Sequence, residues 1–235
     1  MIKLEAAVDF SSGKLTFALS ESNGAFLFEA GVAMSGRDSS GIVPWITLQL
    51  KEHGFSLESV GYWTCGSGPG SFTGLRIIAG LVAGFAFETD AEARGVPSAV
   101  ALAAEADAAA VSEPDSVTVL YDGRRGEIFC CRMEKHGGFF RYPPENTILP
   151  VVSAGNTEAL DGNTLPVAMK SDRELFSEII PENILQETVF IDEFPVRRLL
   201  EIPVSAYPWD SNSLLHPVYL RPPVHVPPAS VRQDV

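Results

Sequence analysis

Residues 60–88 read VGYWTCGSGPGSFTGLRIIAGLVAGFAFE and decide the fold. The β-branched and aromatic residues at 60–65 predict a buried strand. Glycines at 66, 68, 70 and 74 follow and indicate a tight turn. A helix is expected to begin at about Leu75 and to continue to Glu88. A strand, a Gly-rich turn and a helix in this order predict an α/β domain.

The Gly-rich turn has two interpretations. Free N–H groups at a helix N-terminus attract phosphate, and this turn lies just before a helix. However, it lacks the Lys and Ser/Thr of a P-loop, and its glycine spacing is not GxGxxG. The alternative is a turn that lets the helix lie flush on the sheet. The residues alone leave both open.

The helix after this turn is apolar on nearly every side beyond Arg76. A helix of this kind is buried on all sides. Gly80 and Gly84 share one face, and each glycine costs about 1 kcal/mol of helix propensity relative to alanine. Close approach of another backbone offsets that cost. The backbone belongs either to this chain or to a second chain, and the pattern does not distinguish them.

Toward the N-terminus, the pattern predicts strands at 2–9, 14–19 and 25–33, a loop at 34–41 and a helix from residue 42. The turn at 10–13 makes the first two strands a hairpin. Ser39 or Ser40 is expected to cap the helix, Pro44 to lie in its first turn, and Gly54 to close it.

Toward the C-terminus, the same hairpin signal recurs. An Ala-rich helix at 99–110 precedes strands at 116–121 and 127–133, which are joined by the turn at 122–126. Asp9 and Asp122 occupy matching places, 122 − 9 = 113 residues apart. The repeat indicates a duplicated α/β domain, although Asp is common in turns of any origin.

The remaining elements are short. The pattern predicts helices at 174–180 and 195–202, a strand at 189–191, a polar link at 209–213, an extended piece at 216–221 and a frayed Pro-rich end.

Composition excludes several classes of function. The 235 residues carry a formal net charge of −13, which opposes binding of nucleic acid by the chain alone. No two of the four histidines lie within five residues of each other, and CxxC, GxSxG and P-loop motifs are missing, so neither metal nor catalytic residues are predicted. Three cysteines, read as reduced thiols, indicate the cytoplasm. No membrane contact is expected, since charges interrupt every long apolar run.

Five stretches together resemble a known family. They are GPGSFTGLR at 68–76, VDFSS at 8–12, SGRDSSGIVPWI at 35–46, YDGRRGEIF at 121–129 and PVYLR at 217–221. Taken in chain order, they are similar to the signatures of the bacterial TsaB (YeaZ) family, the B subunits of the machinery that makes threonylcarbamoyladenosine on tRNA. The chain departs from the family at Phe10, where a Thr is usual, and at 38–41, where a His is usual.

The resemblance implies a fold of the actin/hexokinase/sugar-kinase (ribonuclease H-like) type, with two related α/β domains. The expected division is 1–98 for the first domain, 99–205 for a divergent second domain, and 206–235 for a C-terminal segment that packs back before it frays.

The resemblance also implies a role. It makes the chain a non-catalytic scaffold of the complex that transfers a threonylcarbamoyl group to N6 of adenosine 37 of tRNA. The expected partners are a TsaD-type subunit and a TsaE-type ATPase, with a homodimer when alone and tRNA only through the complex. No cofactor is expected beyond weak nucleotide binding at a subunit interface. The alternatives are an ATP-dependent sugar-kinase-like phosphotransferase and a glycoprotease-like peptidase.

Two sets of site residues follow from the resemblance. A vestigial cleft is expected at Asp9, Ser11, Ser12, Asp122 and Gly123, with Arg124 and Arg125 beside it. A partner surface is expected on two helices and the turn before the second, at Ile42, Trp45, Ile46, Gly70, Phe72, Thr73, Arg76, Ile77, Gly80, Leu81 and Gly84.

Overall fold

The computed structural model describes residues 3–34, 36–111, 113–143, 149–160 and 164–220. Its first sheet has five strands: β1 (Leu4–Asp9), β2 (Lys14–Glu21), β3 (Phe26–Ala33), β4 (Val60–Gly66) and β5 (Glu92–Val96). They lie in the order β3-β2-β1-β4-β5. The pairs on the β3 side of β1 are antiparallel, and the pairs on the β5 side are parallel.

The second sheet repeats this plan. Its strands are β6 (Ser116–Arg124), β7 (Glu127–His136), β8 (Phe139–Arg141), β9 (Val151–Ser153), β10 (Leu165–Met169) and β11 (Val189–Ile191). The order is β11-β10-β6-β7-β8, with β9 paired to β7. From β8 to β11 there are again two antiparallel pairs and then two parallel pairs. The duplication predicted from the two hairpins is therefore confirmed.

Six helices cover the sheets: α1 (Ile42–Glu52), α2 (Phe72–Thr89), α3 (Ser98–Ala109), α4 (Arg173–Ser177), α5 (Glu182–Glu187) and α6 (Arg197–Glu201). α1 and α2 cover the outside of the first sheet, and α4 and α5 the outside of the second. Between the sheets, α3 packs mainly on the strands of the second and α6 on those of the first. The predicted division at residues 98 and 99 stays a prediction, because one core joins both halves there.

The buried face of α2 follows helical spacing. Ile78, Val82 and Phe85 are buried and pack over the first sheet beside Trp63. Their spacing of four and three residues puts them on one side of the helix, as an amphipathic arrangement requires. The prediction that α2 is buried on all sides is wrong for the single chain, because its other side is open.

Several predicted boundaries change. A 3₁₀ helix, Gly36–Gly41, lies in the predicted loop, and Gly41 occupies the N-cap of α1 without a side-chain bond, so capping by Ser39 or Ser40 is wrong. α2 begins at Phe72 instead of Leu75, because the Ser71 hydroxyl accepts a hydrogen bond from Gly74 N at 3.2 Å. Gly54 has a φ of +81° and ends α1 as predicted.

The C-terminal part also differs in detail. α5 has no counterpart in the sequence prediction, and part of the predicted polar link belongs to a 3₁₀ helix, Ser211–Leu215. Ser35, Arg221 and the Pro-rich end at 222–235 lie outside the described residues.

Candidate functional site

The Gly-rich turn at 66–74 is a packing junction. A Cβ at Gly66 would lie 1.9 Å from Asp9 Oδ2, and one at Gly74 would lie 2.2 Å from the carbonyl oxygen of Phe10. A Cβ at Gly68 would lie 2.6 Å from the carbonyl oxygen of Val218. Only glycine admits such contacts with backbone and a buried carboxylate. The turn thereby brings the first hairpin, α3 and the C-terminal segment to one point.

Several N–H groups of this turn are already engaged within the chain. Ser67 N donates to Val96 O at 2.8 Å, and Ser71 N donates to Ser11 O at 2.8 Å. Gly68 N donates to the Ser98 hydroxyl at 3.0 Å. A phosphate cradle needs N–H groups that point outward without a partner. The geometry therefore favours the interpretation of this segment as a structural turn.

Asp9 is enclosed at the end of β1. Its side chain is fully buried, and it accepts hydrogen bonds from Ser11 N at 2.8 Å, from the Ser11 hydroxyl at 2.6 Å and from the Ser98 hydroxyl at 2.5 Å. Burial raises the pKa of the carboxyl, and the three hydrogen bonds oppose that rise. Ser98 is the first residue of α3, so the carboxylate also lies at the positive end of that helix.

The other predicted cleft residues lie in a different setting. Asp122 is half-buried, accepts a hydrogen bond from Arg124 N at 2.7 Å and pairs with the Arg124 guanidinium at 3.0 Å. Ser12 is exposed, and a Cβ at Gly123 would lie 2.7 Å from the Phe129 ring. Asp9 is the last residue of β1 and is sealed in the core, whereas Asp122 lies two residues before the end of β6 and near solvent.

Two groups beside the predicted cleft escaped sequence reasoning. Burial raises the pKa of the Asp172 carboxyl, and the nearby Asp122 carboxylate adds to that rise. The Tyr121 hydroxyl is buried and has no hydrogen-bond partner among the described residues. Asp172 belongs to no motif, and although Tyr121 opens the stretch at 121–129, nothing in the sequence marks its hydroxyl as buried and unpaired.

The three cysteines are unsuited to nucleophilic chemistry. Cys65, Cys130 and Cys131 are free and buried. Burial raises the pKa of both the Cys130 and the Cys131 thiol to about 12, and it also raises that of Cys65. A thiol with so high a pKa contains almost no thiolate near neutral pH. Within the part of the chain that the structure describes, no three His, Cys, Asp or Glu side chains are grouped to hold a metal ion.

The predicted partner surface is partly assembled on α2 and the turn before it. Phe72, Thr73, Arg76, Gly80 and Gly84 are exposed, whereas Trp45, Gly70, Ile77 and Leu81 are half-buried. Phe87, which was not predicted, is 89% exposed on the same side of α2. Cβ atoms at Gly80 or Gly84 would meet no atom within 4 Å, so the groove beside these glycines is open in the single chain.

Ile42 and Ile46 do not belong to this surface. Both are fully buried in the core between α1 and the first sheet. They lie four residues apart and share the inner side of α1 with Leu50, so their side chains are turned away from solvent. The outer side of α1 presents Val43 and Leu48 instead.

Two of the motifs named in the sequence analysis meet at the N-terminal end of α2. The Arg76 guanidinium lies 4.0 Å from the centre of the Phe72 ring, and its Nε donates to the Tyr219 hydroxyl at 3.0 Å. The Phe72 and Tyr219 rings are 4.8 Å apart. Arg76 is therefore held in one direction at the edge of the open face.

A buried arginine fastens the C-terminal segment to the first sheet. Arg94 is 1% exposed and donates to the Thr64 hydroxyl at 3.0 Å and to the carbonyl oxygens of Tyr207 and Ile202, each at 2.7 Å. Its guanidinium lies 4.4 Å from the centre of the Trp209 ring. Burial lowers the pKa of Arg94 to about 10, so it stays charged at neutral pH.

α2 also meets the length and composition criteria for a membrane span. Its 18 residues have a mean hydropathy of 1.3, and 33% of them are buried inside the protein. The core helix of a soluble protein passes the same test, so this is weak evidence for a membrane. Arg76 and Glu88 interrupt the apolar run, and the buried side of α2 packs on the first sheet.

The fold resembles two solved structures from Pseudomonas aeruginosa. One is described as YeaZ and the other as an uncharacterized protein with similarity to peptidase YEAZ. Each matches with a TM-score of 0.64 and 20% identity, over 85% of this chain and 89% of the other. The duplicated sheets and this likeness define the class: a two-domain α/β protein of the actin-like type, as predicted.

Comparison with known sequences gives a more specific resemblance than the fold does. Residues 34–142 match the family described as "TsaD: tRNA N6-adenosine threonylcarbamoyltransferase". The tRNA threonylcarbamoyladenosine biosynthesis protein TsaB of Haemophilus influenzae is 30% identical over 107 residues, 43% of this chain. The chain covers 44% of the length of that curated relative. With the motifs, these matches confirm the predicted resemblance to the TsaB (YeaZ) family.

Proposed function

We propose that this chain is a non-catalytic subunit of the complex that transfers a threonylcarbamoyl group to N6 of adenosine 37 of tRNA. The observation that carries the proposal is the sequence similarity to TsaB, and the family-model match at 34–142 includes α1, the Gly-rich turn and α2. The chain acts by holding a TsaD-type subunit in its working shape, and it associates with itself when that subunit is absent. A TsaE-type ATPase is a further partner in this proposal.

The arrangement of the first half supports a role without chemistry of its own. The carboxylate at the end of β1 is sealed by Ser11 and Ser98, and several N–H groups of the Gly-rich turn are used within the chain. Buried thiols of high pKa offer no nucleophile. A site for phosphate transfer or peptide hydrolysis would need groups that reach a substrate.

The open face of α2 supports a role in association. An almost fully exposed Phe87 and two exposed glycines lie on a helix that packs on the sheet with its other side. Exposed apolar patches of this kind mark protein interfaces. We place the TsaD-type subunit here, and we place tRNA on that subunit, because a net charge of −13 opposes direct contact with phosphate. The proposed compartment is the cytoplasm.

The test is reconstitution with the cognate TsaD-type subunit. The wild-type chain should co-purify with that subunit, and tRNA modification should require both. Gly84→Leu fills open space in the single chain, so the variant should fold normally and lose the partner. Ala108→Leu, at an exposed position of α3, is the matched control and should retain it.

The same preparation separates the alternatives. A sugar-kinase-like phosphotransferase would hydrolyse or transfer from ATP without a partner, and a peptidase would cleave protein substrates without one. Turnover by the purified chain alone, or full tRNA modification in its absence, would contradict the proposal. Labelled tRNA should bind the complex and not the isolated chain.

A further inference from the structure

A cleft lies between the first sheet and α6, apart from the Gly-rich turn and from the open side of α2. Its volume is about 360 Å³, which falls within the range of about 300–1,000 Å³ that small-molecule sites occupy. Strands and their hairpin form the floor, and α6 forms the roof. The side chains that matter to its chemistry are Glu5, Ser20 and Phe26 on the floor, and Arg197, Leu200 and Glu201 on the roof.

Strand register places the three floor residues side by side. Glu5 of β1 lies opposite Ser20 of β2, and Ser20 lies opposite Phe26 of β3. Residues that face each other on neighbouring strands point their side chains to the same face of the sheet. A carboxylate, a hydroxyl and an aromatic ring therefore form one row in the cleft, and the ring is 49% exposed.

The carboxylate on the floor has no counterion in contact with it. Glu5 is half-buried and makes no hydrogen bond or ion pair with the residues that the structure describes. Burial raises the pKa of the Glu5 carboxyl, and the charge of Arg94 opposes that rise. Arg94 directs its own hydrogen bonds to the Thr64 hydroxyl and to two backbone carbonyl oxygens. A half-buried carboxylate in this state gains from a bound N–H donor with positive charge.

The guanidinium on the roof is also incompletely paired. Arg198 Nε contacts Glu105 Oε2 at 2.6 Å, and Arg198 Nη1 contacts Glu201 Oε2 at 2.7 Å. Arg197 shares the same Glu105 oxygen at only 3.9 Å, which is longer than a hydrogen bond. Its side chain is 42% exposed. The roof therefore offers one guanidinium to an anion, whereas the charge of Glu201 is already matched.

We infer that this cleft binds an α-amino acid with an apolar side chain, with its ammonium on Glu5 and its carboxylate on Arg197. The apolar side chain lies against Phe26 and Leu200, which line the same cleft. A simple cation would meet the positive charge of Arg197, and a simple anion would meet the negative charge of Glu5. A zwitterion satisfies both groups at once. The inference goes beyond the proposed function and does not depend on it.

Calorimetric titration of the full chain with L-leucine tests the site. The measurement is made at about pH 6.5, where an α-amino group of pKa about 7.7–8.0 is protonated. We expect a dissociation constant of about 1 mM or below, because both ion pairs are partly shielded from water. N-acetyl-L-leucine has no ammonium, L-leucinamide has no carboxylate, and glycine has no side chain. Each should bind about fivefold more weakly or worse.

Two variants locate the ligand in the cleft. Glu5→Gln and Arg197→Gln should each weaken L-leucine about fivefold or more. Glu5→Gln should not change the affinity for N-acetyl-L-leucine, and Arg197→Gln should not change that for L-leucinamide, because each ligand has already lost the matching charge. Glu187→Gln and Arg173→Gln, at exposed positions of the second half, are the controls and should bind as the wild type does. Thermal unfolding establishes that every variant is folded.

Three results would overturn the inference. They are the absence of L-leucine binding, equal affinities for L-leucine and its three analogues, and unchanged affinity in both cleft variants. If Glu5 and Arg197 instead pair with each other in solution, both variants would lower the melting temperature and L-leucine would not raise it, which also contradicts the inference. The titration uses the chain alone, so failure to form the TsaD-type complex would count against the proposed function and not against this site.

Discussion

The two hairpins that open the two halves of the chain begin with the same signal and reach different environments. In the first, Asp9 is sealed by Ser11 and Ser98 and pressed against Gly66. In the second, Asp122 holds the exposed Arg124 near solvent. The sheets around them have the same strand order. Strand order is therefore kept by the packing of the sheet, whereas the turns at the strand ends are free to take separate roles.

The outer helices of the two halves also differ, in length and in the surface that they leave open. The first half has two long helices on its outer side, and one of them leaves a face open. The second half has the five-residue α4 and the six-residue α5 in the corresponding layer. A helix of such length is marginal without tertiary support and presents little surface. This difference supports the proposal that association belongs to the first half, since the second half presents little open helical surface.

Among the variants that test this comparison, Gly66→Ala is expected to lower the free energy of unfolding the most. The added Cβ would overlap the Asp9 carboxylate and approach the Ser98 hydroxyl to 2.9 Å, with no flexible side-chain end to move aside. We expect a loss of about 3 kcal/mol or more in the free energy of unfolding, or failure to fold. Urea denaturation checks this. Gly84→Ala, which meets open space, is the control and should stabilise the isolated chain by up to about 1 kcal/mol.

Arg94→Leu is expected to have the next largest effect. It removes three charge-assisted hydrogen bonds and leaves the carbonyl oxygens of Tyr207 and Ile202 unpaired. We expect a loss of about 3 kcal/mol in the free energy of unfolding and earlier proteolysis of the C-terminal segment. Arg173→Leu, at an exposed arginine of the second half, should cost less than about 1 kcal/mol. Equal losses for the two variants would refute the anchoring role of Arg94.

The pH dependence of stability tests whether Asp9 is as deeply buried as the structure shows. Because the folded-state pKa is raised above the ordinary value of 3.8, the folded chain holds the proton more tightly than the unfolded chain does. The contribution of Asp9 to the free energy of unfolding is fully present when the pH is below 3.8, and it is lost as the pH rises through the folded-state pKa. The free energy of unfolding of the wild type, minus that of the Asp9→Asn variant, should fall as the pH rises from 3.8 through the folded-state pKa, and it should then level off. Urea denaturation at a series of pH values measures this difference. A difference that rises with pH would mean that the pKa is lowered instead.

The smallest effect is expected at the second hairpin. Asp122→Ala removes an ion pair to Arg124, whose side chain is 86% exposed. Pairs of this exposure contribute little, so the loss in unfolding free energy should stay below about 1 kcal/mol and should shrink in high salt. Calorimetry in low and high salt measures it. A loss as large as that of an Asp9→Ala variant would erase the distinction between the two hairpins.

Much of this fold follows from local signals. The hairpin turn at 10–13, the closing Gly54 and the repeat of Asp9 at Asp122 are read from the sequence because turn chemistry depends on a few adjacent residues. The strand order of both sheets agrees with the fold that the family resemblance implies. The partner surface stays a prediction, although the two glycines of the apolar helix do lie on the open side of α2.

Other features could not be read in advance. The burial of Arg94 depends on carbonyl oxygens 108 and 113 residues away, and an arginine in a strand ordinarily predicts an exposed position. Ile42 and Ile46 were assigned to the wrong side of α1 because helical spacing gives the relative positions of side chains and not the side that faces the core. The burial of Asp9 likewise depends on Ser98, 89 residues along the chain.

The placement of α3 and α6 has a mechanical consequence. Each helix follows one sheet in the chain and packs mainly on the other, with Ala103 and Leu199 buried in the core that they share. Separating the sheets would expose this common core, so the two halves cannot swing apart as lobes on a hinge. Neither half would keep its shape if it were produced alone. We therefore expect the two sheets to move as one body under load.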